Sequence, residues 1–235
     1  VVIGETKPET KDVFLSFANN SGSDIYFAEE NYTCRLEEMD INFAGRNFTV
    51  HEVNSHGSFT GIIPLAGDYQ MTNLRTLFQL FRCLEKNLKI TELNLIDGIS
   101  NVIINTGLLG RWQVLGKKPL IVCDTAHNME GLEYVIKQVL QIPATKRHMV
   151  IGFVNDKDLD SLLPLFPPDS EYYFTKASVP RAMDEKMLMA EASKFDLHGK
   201  CYTTVYEAFM AALKNSVPTD LIFVGGSTFV VAEVI

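Results

Sequence analysis

The sequence lacks any apolar stretch that approaches the roughly 18 residues needed to span a bilayer. It also lacks the basic and apolar segments of a secretory leader. These absences predict a cytoplasmic protein without membrane contact. The chain opens with Val1-Val2-Ile3-Gly4, a pattern typical of a buried strand that runs into a turn, so we expect that Val1 is not the natural start.

Cysteine and positive charge are both scarce. The four cysteines, Cys34, Cys83, Cys123 and Cys201, are widely separated and form no CxxC pair, which argues against a zinc site and a redox pair. Lys and Arg number 21 against 29 Asp and Glu, which gives a net charge of −8, and no run of five like charges occurs. We therefore expect no nucleic-acid partner, although a local basic site for one small anion is compatible with this balance.

Three glycine motifs are missing as well. None of the fifteen glycines is followed by Lys-Ser or Lys-Thr, so the chain carries no P-loop, and it contains no G-x-G-x-x-G and no G-x-S-x-G. These absences argue against a self-sufficient nucleotide hydrolase, a nicotinamide dehydrogenase and a serine hydrolase. With 46% hydrophobic and 21% charged residues, the chain nevertheless has the composition of a globular protein.

Residues 1 to about 67 are expected to form short strands and turns. Apolar and polar residues alternate in 41–43 and 48–50 around a turn at 44–47, which predicts a β-hairpin, and a third strand is expected near 58–64. The spacing of apolar residues then changes to three and four, which is typical of one helix face. That face comprises Met71, Leu74, Leu77, Phe78, Phe81, Leu84 and Leu88.

A second helix is expected to begin after Thr91, which can cap it. Its predicted inward face comprises Leu95, Ile96, Ile99, Val102 and Ile103. The segment 105–110 interrupts this pattern, so we divide the chain into a first domain, residues 1–109, and a second, residues 110–235.

The second domain alternates apolar runs with amphipathic helical patterns. The predicted strands are 120–123, 149–153, 172–174, 202–205 and 221–224. Strand and helix alternating in this way predict an α/β fold, a Rossmann-like, doubly wound and mostly parallel sheet with helices on both faces.

Polar loops follow four of these strands. They are the segments 124–128, 152–158, 176–181 and 225–227. Ligands of such sheets bind outside the carboxyl ends of the strands, so we expect these loops to share one edge. Asp or Asn after a strand also commonly caps the next helix, and Gly-Gly permits a tight turn, but four such loops together favour a binding site.

Asp124, His127 and Asn128 form the densest polar group in these loops. A carboxylate there can bind a ribose hydroxyl or an exocyclic amine, and an imidazole can stack on a purine or hydrogen-bond to it. Arg111 could reach a phosphate with its planar guanidinium, or it could be a surface arginine packed beside Trp112.

No metal site is predicted in this chain. His51, Glu52 and His56 superficially suggest metal ligation, but they lie at a predicted hairpin edge and fit neither a helix-borne zinc motif nor a closed finger. We expect all three to be structural.

Four segments occur in a characteristic order: Gly110-Arg111-Trp112-Gln113, Asp124-Thr125-Ala126-His127-Asn128, Gly152-x-x-x-Asp156-Lys157-Asp158 and Gly225-Gly226-Ser227. With segment 64–73, they resemble the bifunctional folylpolyglutamate synthase/dihydrofolate synthase family of the Mur ligase superfamily over essentially the whole chain. The resemblance implies an ATP-dependent amide ligase of folate biosynthesis and one-carbon metabolism. ATP would phosphorylate a pterin carboxylate, and the amino group of L-glutamate would attack the acyl phosphate.

The resemblance also implies a domain assignment and residue roles. Residues 1–109 would be part of a central ATP-binding domain, and residues 110–235 the glutamate ligase domain. Asn73 and Asp124 would contact adenosine, Arg111 the phosphates and His127 the base, with Arg111 and His127 as catalytic candidates. Lys157, Arg181, Ser227 and Phe229 would hold glutamate or close on the acyl phosphate.

The same family places its phosphate loop, its Mg²⁺ ligands and a modified lysine upstream of the matching region. We therefore expect ATP and Mg²⁺ as cofactors, no metal ligand in this chain, no ligase activity from this chain alone, and a monomer. The small-molecule partners implied are folate or dihydropteroate and L-glutamate.

Two alternatives are open. The first is a Mur-type ligase that joins an amino acid to a cell-wall precursor. The segment after Asp124 reads Ala126-His127-Asn128, which is the folate-type pattern and disfavours this alternative. The second is a non-catalytic module that binds a nucleotide or an amino acid. The chain opens with the pattern of a strand, and we expect that a natural module would rarely begin there, which argues against this alternative.

Overall fold

The computed structural model describes residues 1–38, 45–55 and 57–235. Two compact units divide the chain, Val1–Leu108 and Leu109–Ile235, a division one residue before the one proposed from the sequence. Across the described residues, no helix is both long enough and apolar enough to cross a membrane.

The first unit contains a parallel pair of short strands and a three-stranded antiparallel sheet. The strands are β1 Val2–Ile3, β2 Tyr26–Phe27, β3 Tyr32–Leu36, β4 Arg46–Glu52 and β5 Ser58–Ile63. The helices are α1 Pro8–Asn20, α2 Ala28–Asn31, α3 Gln70–Leu88, α4 Glu92–Ser100 and α5 Val102–Thr106. In the antiparallel sheet β4 lies between β3 and β5.

The core of this unit is the contact between α3 and the antiparallel sheet. Phe78 is 1% exposed, and its ring centroid lies 4.8 Å from that of Phe59 and 6.2 Å from that of Phe48. Thr91 caps α4 as predicted, since its hydroxyl accepts the backbone N–H of Asn94 at 3.2 Å while the Asn94 side chain accepts the N–H of Thr91 at 3.0 Å.

Several expectations for this unit are wrong. The segment 8–20 is a helix, not strands and turns. It buries only Ala18, so its apolar residues form no clear inward face that the sequence pattern could show. Pro8, in the first turn, was the available signal for its start. The opening segment does contain the expected strand, β1, but Val1 is 59% exposed and β1 is only half-buried. Of the predicted hairpin, residues 41–44 lie outside the described residues, as does His56.

The predicted turn at 44–47 is partly wrong, because Arg46 and Asn47 begin β4. Polar side chains fit there because they make contacts beside the strand: Arg46 donates to the backbone oxygen of Ala66 at 3.1 Å and Asn47 to the Glu37 carboxylate at 2.9 Å.

Two expectations for the helices also need correction. Leu77 and Leu88 are 36% and 58% exposed, because the apolar residues of α3 cover a wider arc than one sheet can bury. The second predicted helix is two helices, and Asn101, with φ −105° and ψ 15°, separates them.

The second unit is built on a six-stranded sheet. Its strands are β6 Gln113–Lys117, β7 Leu120–Cys123, β8 Arg147–Ile151, β9 Glu171–Thr175, β10 Gly199–Tyr202 and β11 Leu221–Gly225, in the spatial order β10-β9-β8-β11-β7-β6. All neighbouring pairs are parallel except β6 with β7, which is antiparallel. The mostly parallel α/β sheet predicted from the sequence is confirmed.

Five α-helices connect or follow these strands in the described residues. They are α6 Met129–Gln141, α7 Leu159–Leu162, α8 Glu185–Ala192, α9 Val205–Asn215 and α10 Thr228–Ala232. Cys123, Val150 and Ile222 belong to a buried cluster with residues of α9 and α10. The alternate residues Val122 and Phe223 point to the opposite face and are 0% exposed, so both faces of the sheet are covered.

The predicted strand 202–205 is displaced. Tyr202 ends β10, and Thr204 caps α9, because its hydroxyl accepts the backbone N–H of Glu207 at 3.2 Å. Val205 therefore starts a helix, and its β-branched side chain is buried as part of that helix. The edge strand β6 was not predicted.

Candidate functional site

The carboxyl ends of the three central strands, β8, β11 and β7, meet at one edge. The N–H of Asp124 donates to the oxygen of Val224 at 3.1 Å, and the N–H of Gly152 to the oxygen of Gly225 at 3.4 Å. The strand order reverses here, since β11 lies between β7 and β8, which is where such sheets bind ligands. We call the loops 124–128, 152–158, 176–184 and 226–227 the carboxyl rim.

The loop after β9 is tied to the loop after β8 by backbone hydrogen bonds. Asn155 donates to the oxygen of Arg181 at 2.9 Å, and Met183 donates to the oxygen of Phe153 at 2.9 Å. Lys157 and Arg181, both predicted to bind the amino-acid substrate, therefore lie on loops that hold each other.

Gly226 is required by the close approach of these loops. Its φ is +87°, and a Cβ there would lie 2.9 Å from the backbone oxygen of Gly152. The Gly225-Gly226 pair thus permits a tight turn, which is the structural alternative considered from the sequence.

Asp124 is buried beneath the rim, with 1% exposure. One carboxylate oxygen accepts the backbone N–H of Trp112 at 2.7 Å and the other accepts that of Ala126 at 2.8 Å. Trp112 has φ +46°, a left-handed conformation that is costly for a bulky residue, and this hydrogen bond holds it. Burial, followed by the charge of Asp124, raises the pKa of the Cys123 thiol to about 12, so this neighbouring cysteine is an unreactive thiol.

Arg111 and His127 lie on either side of Thr125. The Arg111 guanidinium donates to the Thr125 hydroxyl at 2.8 Å, and Nδ1 of His127 lies 2.9 Å from the Thr125 backbone oxygen. Because that oxygen can only accept, Nδ1 carries the proton of this hydrogen bond, and in a neutral ring Nε2 is then an acceptor. Both side chains are exposed.

Asn128 and Ser227 are helix caps. Asn128 accepts the N–H of Gly131 at 3.0 Å and begins α6, while Ser227 accepts the N–H of Phe229 at 3.2 Å and begins α10. Ser227 is 4% exposed. The expected contact of Ser227 with substrate stays a prediction; its described contact fixes Phe229.

Arg181 and Phe229 are brought together, although 48 positions separate them in the numbering. The guanidinium carbon of Arg181 lies 5.4 Å from the centroid of the Phe229 ring. Phe229 is 36% exposed, so the pair lies at the surface of the rim.

Asn73 lies in the first unit, in the first turns of α3. Its amide donates to the Gln70 side chain at 2.9 Å. Both residues line an apolar cavity of about 430 Å³ between α3, α4 and β5. The expected adenosine contact of Asn73 stays a prediction.

Sequence reasoning missed two contributors to the rim. Thr125 bridges Arg111 and His127, and Lys176 forms an ion pair with Glu185 at 3.2 Å, which is 4% exposed. The hydrogen bond and charge of Glu185 raise the pKa of Lys176. The signal for Thr125 was its place inside the polar run 124–128, whereas the pairing of Lys176 depends on the tertiary fold.

The described residues fit a nucleotide only in part. Arg111 offers an exposed guanidinium suited to phosphate, whereas the Asp124 carboxylate is turned towards the backbone. Over the part of the chain that the structure describes, no group of three or more His, Cys, Asp or Glu side chains is placed to hold a metal ion.

The chain is similar to folate-ligating enzymes over nearly its full length. Dihydrofolate synthase/folylpolyglutamate synthase of Escherichia coli (strain K12) is 28% identical over 236 residues, which are 99% of this chain and 50% of that protein. The structure of E. coli FolC in complex with DHPP and ADP has a TM-score of 0.76 at 23% identity, covering 100% of this chain and 51% of the other. Mycobacterium tuberculosis folylpolyglutamate synthase complexed with ADP has a TM-score of 0.80 at 18% identity, covering 99% of this chain and 54% of the other.

These structural matches show the fold, and the chain spans about half the length of the proteins that it matches. The family described as Mur ligase, glutamate ligase domain, matches residues 110–228, which is half of the chain and nearly all of the second unit. By this match, the chain belongs to the Mur ligase family.

Proposed function

We propose that this chain supplies the amino-acid-binding domain and part of the nucleotide site of an ATP-dependent ligase that adds L-glutamate to dihydropteroate or to folates. The observation that carries the proposal is the set of cations at the carboxyl rim, Arg111, Lys157 and Arg181. Among the described residues, none of the three has a carboxylate within ion-pair distance, in contrast to Lys176. The triphosphate, the acyl phosphate and glutamate are all anions, and this set is suited to them.

The roles follow from where each side chain lies. Arg111 binds phosphate and is steadied by Thr125, while Nε2 of His127 accepts a hydrogen bond from the base or from the attacking amine. Asp124 serves the site through the backbone of Trp112, and so positions the neighbouring Arg111. Asn73 contacts adenosine.

The amino acid binds at the other side of the rim, between the loops after β8, β9 and β11. Lys157 and Arg181 bind its carboxylates, and Ser227 and Phe229 form the wall beside them. ATP supplies the phosphoryl group that activates the acceptor carboxylate, a reaction that depends on positioning and charge neutralisation. We assign no step to a metal held by this chain.

The test is to incubate the full-length gene product with ATP, L-glutamate and either dihydropteroate or a folate as the acceptor. We expect mass spectrometry to detect glutamylated dihydropteroate or folate, and no product with meso-diaminopimelate and a cell-wall precursor. The reverse pattern would assign the chain to a cell-wall ligase. Binding of ATP or glutamate without any product would favour a non-catalytic module.

A matched pair of variants tests the site. Arg181→Gln should raise the KM for L-glutamate at least tenfold, since a charge-assisted bidentate contact is worth about 1.5–3 kcal/mol. Lys214→Gln, which changes an exposed cation at the far end of α9, should leave it unchanged.

A further inference from the structure

Arg181 and Phe229 are two exposed residues of the rim whose side chains contact each other. The guanidinium carbon lies 5.4 Å from the ring centroid, within the range of a cation–π contact. When a guanidinium stacks parallel to a ring, its in-plane N–H donors point past the edge of the ring and stay available for a ligand. An arginine held in this way presents a flat fork that matches a carboxylate.

The backbones of Arg181 and Phe229 are both held by hydrogen bonds. The backbone of Arg181 is bound through its oxygen by Asn155, and the adjacent Ala182 forms a β-bridge with Val154. Phe229 is bound through its N–H by Ser227. The contact therefore joins the loop after β9 to the start of α10 at defined points.

The neighbouring acidic groups are engaged elsewhere. Lys176 pairs with Glu185 at 3.2 Å and with Asp184 at 3.6 Å, and the Glu233 carboxylate accepts the backbone N–H of Ser178 at 2.5 Å. In the described structure, the guanidinium of Arg181 is thus held by an aromatic face rather than by an internal carboxylate. A carboxylate partner would have to be supplied by a ligand.

We propose that Phe229 is a positioning residue, which holds the guanidinium of Arg181 flat so that its outer N–H groups bind a carboxylate of the incoming amino acid. This inference rests on the proposed function and assigns Phe229 a role through Arg181 rather than a substrate contact of its own. Without the ring, Arg181 would have to be ordered from many rotamers on binding, and the affinity would fall.

The first test uses nuclear magnetic resonance on the 235-residue chain. The Nε–H signal of Arg181, assigned by its loss in Arg181→Lys, should be shifted upfield by the ring current in the wild type and in Phe229→Tyr. It should move to an ordinary position in Phe229→Leu. Titration with L-glutamate should shift the same signal, and Phe229→Leu should weaken binding about tenfold, a change of about 1.4 kcal/mol.

The possible results separate this inference from the proposed function. Glutamate binding that is equal in the wild type and Phe229→Leu overturns the positioning role alone. No glutamate binding by the wild type overturns the carboxylate role and removes the support that this domain gives to the proposed function. Inorganic phosphate that displaces glutamate and shifts the signal equally well would show a general oxyanion site and overturn the assignment to a carboxylate.

A kinetic test uses the full-length gene product. Phe229→Leu should raise the KM for L-glutamate while the KM for ATP and the melting temperature stay unchanged, and Phe229→Tyr should restore the KM. A fall in kcat with unchanged KM, or a lower melting temperature without rescue by Tyr, would contradict the proposal and indicate a merely structural ring.

Discussion

At the scale of one residue, Asp124 shows how a buried acid can hold the backbone of a candidate site in place. The family resemblance implies a contact of Asp124 with adenosine, and that contact stays a prediction. The structure shows both of its oxygens bound to backbone N–H groups. The sequence pattern can place Asp124 at the correct edge of the sheet. The direction of its carboxylate, however, depends on the left-handed backbone conformation of Trp112, and no local sequence pattern predicts that conformation.

Replacement of Asp124 tests this role. Asp124→Asn turns one acceptor into a donor opposite a backbone N–H, and we expect the free energy of unfolding to fall by about 3 kcal/mol, the cost of losing a buried charge-assisted hydrogen bond. Urea unfolding followed by the fluorescence of Trp112, the only tryptophan, measures it. Asp156→Asn, an exposed acid on the rim, is the control and should change stability little. Equal stability of the two variants would contradict the assigned role.

Asp220 predicts a dependence of stability on pH. Burial alone would raise its pKa, but hydrogen bonds from the N–H of Val217 at 2.9 Å and from His148 at 3.2 Å outweigh burial, and the pKa is lowered. A lowered carboxyl pKa stabilises the fold above the unfolded pKa of about 4, and this contribution is lost as the pH falls through the folded pKa.

The measurement is the free energy of unfolding against pH. Asp220→Asn should be less stable than the wild type at pH 7, and the difference should shrink as the pH falls from about 4 through the lowered folded pKa of Asp220, because the wild-type acid then becomes protonated. Asp169→Asn, an exposed acid, should follow the wild-type curve. A difference that stays constant with pH would contradict this account.

At the scale of elements, local chemistry predicted the well-patterned helices and failed where burial was weak. The cap residue Thr91 and the regular spacing in α3 located the starts of two helices closely. The helix α1 was missed because only Ala18 is buried, and the start of α9 was misplaced because Val205 is both β-branched and apolar. In these cases tertiary packing decided the structure.

Two glycines of the first unit, Gly98 in α4 and Gly61 in β5, should respond in opposite ways to replacement by alanine. A Cβ on Gly98 would meet nothing within 4 Å, so Gly98→Ala should raise the free energy of unfolding by about 0.8–1 kcal/mol through the helix propensity of alanine. In Gly61→Ala, the new Cβ would lie 2.8 Å from the ring of Phe48, and the variant should be less stable than the wild type. Thermal unfolding of both variants checks the opposite signs, and two changes of the same sign would contradict the packing described for this unit.

At the scale of the whole molecule, the sequence predicted the α/β class and the carboxyl edge of the second unit because alternating strands and helices restrict the topology strongly. It could not predict that β11 lies between β7 and β8, since the order of strands depends on contacts far apart in the chain. The pairing of Arg181 with Phe229 follows from that order and was equally inaccessible.

The 235-residue chain by itself should not form product. It carries no P-loop, and in its described part no cluster of side chains is suited to a metal ion. Incubation of this chain with ATP, L-glutamate and either acceptor should leave the acceptor unchanged in mass. Detectable glutamate addition would contradict this prediction and would require a phosphate site within the chain.

The stoichiometry of the full-length gene product tests the central claim most directly. ADP release and incorporation of labelled L-glutamate are measured together in the presence of dihydropteroate or a folate. The account predicts that the two are equal, that both depend on acceptor and amino acid, and that both become much weaker at low glutamate in Arg181→Gln. ADP release that persists unchanged without L-glutamate, or glutamate incorporation without ADP release, would contradict it.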